Sequence, residues 1–452
     1  MLSPFSPVPP PRLAALQARR QRLSARGQRP LVIWSGQPLA RNFPANTYSF
    51  RANSHFLYLA GQSLAGAALH LDQGQITLFM DDPEPGAALW HGPEPDRETL
   101  AESIGAIAAY PLAELSAHLA EAATLPVLDW PQRLPHSPDH WHQHQALAMV
   151  ETRLYQDSLA LAEMERATAV SVAAHRAGMA ASPRANQEAQ VRAAMEQVIL
   201  AENLTCAYNS IVTTRGEVLH NPHYHHPLKA GDLLLADVGA ETAAGWAADI
   251  TRTWPVSGRF SGPQRDLYQV VLAAHDGAIA AAQPGVEYRQ LHLLACRLLA
   301  AGLVDLGILR GDVDHLVERD AHALFFPHGL GHLLGLDVHD MEDLGDRAGY
   351  APGRQRSDRF GLCFLRLDRP LAAGMVVTIE PGFYQVPAIL GPARHSGQYD
   401  DLVNWDRLQA FGSVRGIRIE DDVLITEGGH RVLTAALPTA AATLEALVQS
   451  SD

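Results

Sequence analysis

The chain has 452 residues, 47% hydrophobic and 19% charged, with a formal net charge of −14. Such a length predicts two or three domains, and the acidic balance argues against a generic binder of phosphate backbones. No run approaches the roughly 20 uninterrupted apolar residues of a membrane helix, and three widely spaced cysteines exclude a disulfide framework or a thiolate zinc site.

The first 30 residues are rich in proline and arginine and lack the compact apolar stretch of a secretory signal, so the expected compartment is the cytoplasm. Residues 31–34, 67–71 and 76–79 read as strands, separated by Gly, Pro, Asn and Asp punctuation. Residues 81–86, DDPEPG, read as a loop, and a proline-rich break at 131–138, after Trp130, approaches a domain boundary. Residues 1–150 are therefore expected to form a small α/β domain with no catalytic cluster. Residues 151–452 are expected to form a second domain, in an α+β chain. Beyond residue 150 the texture turns alanine-rich. Leu154, Leu161, Met164 and Val172 fall on one face at helical spacing, and further helices are expected over 186–202, 264–283 and 288–306. Cys206, Cys296 and Cys363 are expected to be small buried hydrophobes.

Acidic and histidine residues of the second half are hard to explain as surface. Asp237 ends the apolar run LLLAD, where an unpaired carboxylate is costly. Twelve residues later Asp249 alternates in register with Thr251 and Thr253, with Gly245 in the intervening turn. A hairpin would bring the two carboxylates together, and they would then require a proton or a cation between them. For this pair alone, solvent-exposed hairpin charges explain the pattern equally well. His328, His332 and His339 follow within twelve positions, among glycines and apolar residues, as imidazoles entering a cavity would. Glu380 ends the hydrophobic run MVVTIE. In GIRIEDD, period two places Arg418 and Glu420 on one face; taken alone, that pair reads as an Arg–Glu contact on a half-exposed strand. Together, Asp237, Asp249, His332, Glu380 and Glu420 make an oxygen-rich, cysteine-free set with one imidazole. It suits Mn²⁺, Co²⁺ or Zn²⁺ in a shared-carboxylate two-metal site, which is hydrolytic chemistry.

The strings LLLADVG, ADITRTWPVSG, PHGLGHLLGLDVHD, GMVVTIEPGFY and GIRIEDDVLIT resemble the "pita-bread" metallopeptidases, specifically the aminopeptidase P and prolidase branch. FRANSHFLYL resembles that family's N-terminal domain. The resemblance implies a C-terminal pita-bread catalytic domain and two divalent metal ions, with Mn²⁺ the expected species. It implies that Asp237 and bridging Asp249 hold the first ion, and that His332, Glu380 and bridging Glu420 complete the second. Glu380 then serves as general base, and His328 and His339 bind substrate and stabilise the tetrahedral intermediate. His220 seats the proline side and Arg418 supports the ligands. Arg366, in LRLDRPL, resembles the prolidase arginine that binds a dipeptide carboxylate, but an arginine nearby also occurs in aminopeptidase P enzymes, so it does not decide between them; a surface arginine pair ahead of a strand is the plainer reading. Assembly into a dimer or tetramer is likewise implied. Two departures stand out. The Asp237–Asp249 separation is one residue longer than the family's usual spacing, and its even parity requires an odd loop or a bulge. The connection from His339 to Glu380 is long and prolidase-like.

Three activities compete. The chain is an aminopeptidase acting on peptides with an Xaa-Pro N-terminus, a prolidase restricted to Xaa-Pro dipeptides, or a non-catalytic module that binds peptides or partner proteins. The complete ligand set disfavours the third reading, and FRANSHFLYLAG favours the first. Nucleic acid and membrane are not expected partners.

Overall fold

The computed structural model describes residues 9–125 and 138–450, so Trp130 and nearly all of the proline-rich break at 131–138 lie outside the described residues. The chain forms two compact units. One comprises Met1–Ala160 with Ala243–Gly245 and Asp343–Ala348, and the other holds the remainder. Helices and strands are mixed throughout, an α+β chain as expected. Among the described residues no helix is long and apolar enough to cross a membrane.

The first unit is built on a mixed five-stranded sheet. Its strands are β1 (Leu31–Trp34), β2 (Ala68–Asp72), β3 (Gln75–Phe79), β4 (Ala108–Tyr110) and β5 (Ala123–Thr124), in the order β4-β3-β2-β1-β5. All four residues of β1, an interior strand, are buried. Between β2 and β3 a two-residue turn, Gln73-Gly74, has φ of 45° and 79°, the positive pair that suits the twist of a tight hairpin. Val32, Trp34, Ala68 and Phe79 form a core with Leu112, Leu115 and Leu119. The helix Pro10–Arg26 was not apparent in the sequence, because charged residues occupy inward positions of its pattern. Arg19 and Arg20 are buried, and the Arg20 guanidinium donates to the carbonyls of Leu59, Ile104 and Gly105.

The second unit carries β6 (Thr205–Cys206), β7 (Ile211–Thr213), β8 (Leu233–Asp237), β9 (Ala240–Glu241), β10 (Thr251–Pro255), β11 (Val376–Ile379), β12 (Gly382–Tyr384), β13 (Gly416–Arg418), β14 (Asp421–Thr426) and β15 (Gly429–Val432). They form sheets ordered β10-β8-β7, β11-β14-β15, β12-β13 and β6-β9. Helices Glu188–Ala201, Gly262–Ala281 and Tyr288–Asp305 occupy the expected regions. The second of these opens with a capping box, in which Ser261 and Gln264 satisfy each other's backbone N–H. Two expectations need correction. Leu154 does not share a helix with Leu161, Met164 and Val172. It caps the helix Asp139–Arg153, and a break precedes Ser158–Ala181. Of the cysteines only Cys296 is buried; Cys206 and Cys363 are half-buried, and Cys363 lines the cavity described next.

Candidate metal centre

The hairpin of β8 and β10 sets the first two carboxylates. Asp237 lies opposite Thr251, and the register continues through Val238 N to Ile250 O (3.0 Å), Ala248 N to Ala240 O (3.0 Å) and Thr242 N to Trp246 O (2.9 Å). What remains is a loop of residues 243–245, with Gly245 at φ 89°, a conformation that favours glycine. The even separation is thus met by an odd loop without a bulge. Since Asp249 stands two residues before Thr251, period two leaves Asp237 and Asp249 as diagonal neighbours on one face.

Glu420 enters from the gap between β13 and β14, where it forms a bridge with Thr251. The Thr251 hydroxyl donates to Glu420 Oε2 at 2.5 Å. Arg418 donates through Nη2 to Asp237 Oδ2 (2.5 Å) and through Nε to Thr251 Oγ1 (3.0 Å). The isolated reading of Arg418 and Glu420 as a half-exposed pair does not hold: both residues are buried, and the arginine pairs with Asp237.

His332 reaches the same place because its segment lies along β11. Thr378 N donates to His332 O and Glu380 N to Leu330 O. A Cβ on Gly331 would stand 2.3 Å from Thr378 O and 2.4 Å from the Tyr288 hydroxyl, so only glycine permits this approach. His332 Nδ1 lies 2.9 Å from Leu333 O, a contact that requires its proton on Nδ1. Burial pushes His332 down to about 4, so the ring is neutral. Its Nε2 lone pair then faces Asp249 Oδ2 and Glu380 Oε1, each at 3.5 Å. A lone pair aimed at two carboxylates is repulsive unless a proton or a cation stands between them.

The carboxyls show the same strain. Burial, reinforced by Asp249 and Asp237, pushes Glu380 up to about 8 against the opposing pull of Arg418. Burial and the neighbouring carboxylates raise Glu420 well above the usual range, and burial likewise raises Asp237 and Asp249. The Tyr208 hydroxyl contacts Oδ1 of both aspartates, yet one proton serves only one acceptor at a time. Asp249, His332 and Glu420 offer donor atoms that all lie within 4.8 Å of one another. Four carboxylates and a neutral imidazole with Arg418 as their charged partner fit divalent cations by charge and by donor chemistry.

The ten residues singled out in the sequence, Asp237, Asp249, His332, Glu380, Glu420, His220, His328, His339, Arg366 and Arg418, all line one cavity of about 920 Å³. His328 Nδ1 contacts Gly329 O at 2.8 Å, and its Nε2 accepts from the Tyr384 hydroxyl at 2.8 Å. Burial holds His328 down to about 3, hence neutral. His339 has a left-handed φ of 61°, and its ring meets that of His332 edge-on at 4.2 Å. Sequence reasoning missed Tyr208, Thr251 and Tyr384. Tyrosine and threonine in apolar runs look like ordinary strand and core residues, and nothing local marks their hydroxyls as bound to carboxylates.

These shifts predict how stability follows pH. A carboxyl raised from about 4.3 in the unfolded chain to about 8 in the folded one favours folding while protonated. That stability falls as pH rises through this window. A divalent cation held by these carboxyls would replace the protons. The expected gain in Tm on adding Mn²⁺ to metal-stripped protein is therefore larger at pH 8 than at pH 6. Equal gains in calorimetric scans at both pH values would refute the assignment of these carboxyls to a cation site.

Residues 162–427 match the model of metallopeptidase family M24, and residues 16–126 match the aminopeptidase P N-terminal domain. The chain is 34% identical over 462 residues to the Xaa-Pro aminopeptidase of Haemophilus influenzae, covering 96% of each protein. Among solved structures it resembles zinc-substituted E. coli aminopeptidase P in complex with product, with a TM-score of 0.79 and 27% identity, covering 99% of this chain and 100% of that one. It is similar also to Pseudomonas aeruginosa aminopeptidase PepP, with a TM-score of 0.79 and 27% identity, covering 98% of this chain and 99% of that one.

Proposed function

Because this chain belongs to metallopeptidase family M24, we propose that it is a dinuclear Xaa-Pro aminopeptidase that releases the N-terminal residue from peptides with proline at position two. The observation that carries this reading is the neutral His332 lone pair facing Asp249 and Glu380 among buried, raised carboxyls. We assign residues 1–150 to the N-terminal domain and 151–452 to the catalytic domain. Asp237, Asp249, His332, Glu380 and Glu420 are the ligands of two divalent ions, Mn²⁺ by preference. When bound, the ions supply a water of lowered pKa and polarise the scissile carbonyl.

The chain's own groups perform the proton and positioning work. Glu380 takes the proton from the attacking water and returns it to the proline nitrogen as the C–N bond breaks. His328, neutral and held by Tyr384 and the Gly329 carbonyl, and His339 at the cavity wall orient the peptide and hydrogen-bond the developing tetrahedral centre. His220 lies on the proline side. Arg418 balances part of the carboxylate charge and, through Thr251 and Asp237, fixes the orientation of the cluster.

Arg366 in the cavity favours a second reading, a prolidase restricted to dipeptides. Hydrolysis of Ala-Pro and Ala-Pro-Ala by metal-stripped protein, with and without Mn²⁺, separates the two. Release of Ala and Pro-Ala only with metal is the expected result. Cleavage of the dipeptide alone would make the enzyme a prolidase, and no metal-dependent cleavage of either peptide would sink both readings.

A further inference from the structure

Glu342 stands three residues beyond His339. The backbone between them is left-handed at His339 (φ 61°) and again at Met341 (φ 62°), turning the chain so that Glu342 N donates to His339 O. The Glu342 side chain comes back over the histidine: its Oε2 lies 3.5 Å from His339 Nδ1 and accepts from Arg366 Nη1 at 2.6 Å. Arg366 and His339 both line the cavity.

A guanidinium in such a cavity is a natural receptor for a ligand carboxylate. Here it already holds an internal one. We propose that Glu342 determines specificity by occupying Arg366, so that ligands bringing a free carboxylate to that point are disfavoured. Dipeptides do so, because their terminus follows proline directly, whereas longer peptides present a neutral amide there. This inference rests on the peptidase reading of the cavity. Although burial opposes its ionisation, His339 and Arg366 hold the Glu342 carboxyl down to about 2, so the occupant is anionic wherever the enzyme works. A second carboxylate must then displace Glu342 or share the guanidinium with a like charge.

The test uses the full-length, metal-loaded protein and a non-hydrolysable reduced-amide analogue of Ala-Pro, with CH₂ in place of the scissile carbonyl, as acid and as carboxamide. Calorimetry is expected to show no preference for the acid in the wild type. In E342Q the acid should gain about fivefold relative to the carboxamide, the upper range for a partly exposed ion pair. The gain should vanish in E342Q/R366Q, and E342D, which keeps the charge, should behave as the wild type does. An unmoved acid-to-carboxamide ratio in E342Q, or a gain that survives loss of Arg366, would overturn the proposal. Wild-type turnover of Ala-Pro-Ala is read separately. Turnover with an unmoved ratio defeats this inference alone, and a moved ratio without turnover defeats only the peptidase reading.

Discussion

Glu380→Ala is expected to lower kcat/KM for Ala-Pro-Ala by about 10³ or more, the effect of removing the proposed general base and metal ligand together. The substitution should leave the fold intact, because Glu380 is half-buried at the end of β11 and its backbone N–H bonds Leu330 O whatever the side chain. Its carboxyl is pushed up by burial and by Asp249 and Asp237, so the folded state holds it at a cost above neutrality. Without metal at pH 8, the variant should therefore melt at or above the wild-type temperature. Glu380→Gln separates the two roles: it keeps the volume and an oxygen donor but cannot accept and return a proton. Metal content retained in that variant, with kcat still down by about 10² or more, would place the loss in proton transfer. Full turnover in either variant would refute the mechanism.

What the sequence made legible was chemistry that departs from its surroundings. Asp237 and Glu380 end apolar runs, and His328, His332 and His339 sit among glycines, so each carries its anomaly in a few adjacent residues. Residues spread from His220 to Glu420 meet at one cavity, yet the anomaly of each is local. The strands read from the sequence as 67–71 and 76–79 differ from β2 and β3 by one residue at their ends, because register at a terminus depends on the partner strand, whereas the short β4 and β5 went unread. Three kinds of feature stayed hidden. Arg19 and Arg20 are satisfied by distant groups, a carboxylate at Asp157 and carbonyls at Leu59 and Ile104, so their helix looked too charged to bury. Tyr208 and Thr251 act through one hydroxyl each, and a hydroxyl in a hydrophobic run gives no local warning. Glu342 has nothing in its own string to mark it, and only the left-handed residues His339 and Met341 before it turn it onto Arg366.

Behind Glu420 lies the interaction with the largest expected effect on stability. Arg252 is fully buried on β10 and holds five groups: it donates to the carbonyls of Thr251, Glu420, Leu437 and Pro438 and to Asp421 Oδ1 at 2.7 Å. Asp421 is buried as well, and also accepts from the Thr434 hydroxyl at 2.5 Å, with His275 Nε2 at 3.0 Å. Arg252→Met should cost about 3–5 kcal/mol, because it strands a buried carboxylate that keeps only neutral or weakly charged partners. At roughly 2–4 °C per kcal/mol for a unit of this size, the fall in Tm is on the order of 10 °C. Restoring neutrality in Arg252→Met/Asp421→Asn should recover part of that loss, since the penalty belongs to the unpaired charge more than to the missing contact. The pH dependence supplies a second check. Although burial opposes it, Arg252 and His275 hold the Asp421 carboxyl well below the usual range, so its contribution is complete above the unfolded value of about 3.9 and is lost as pH falls below it. Acid should therefore destabilise the wild type more than the double variant. Because Arg252 also grips the Glu420 carbonyl at 2.6 Å, Arg252→Met should weaken metal retention together with stability. A variant that melts with the wild type and keeps its metal would show that this pair neither supports the fold nor positions Glu420.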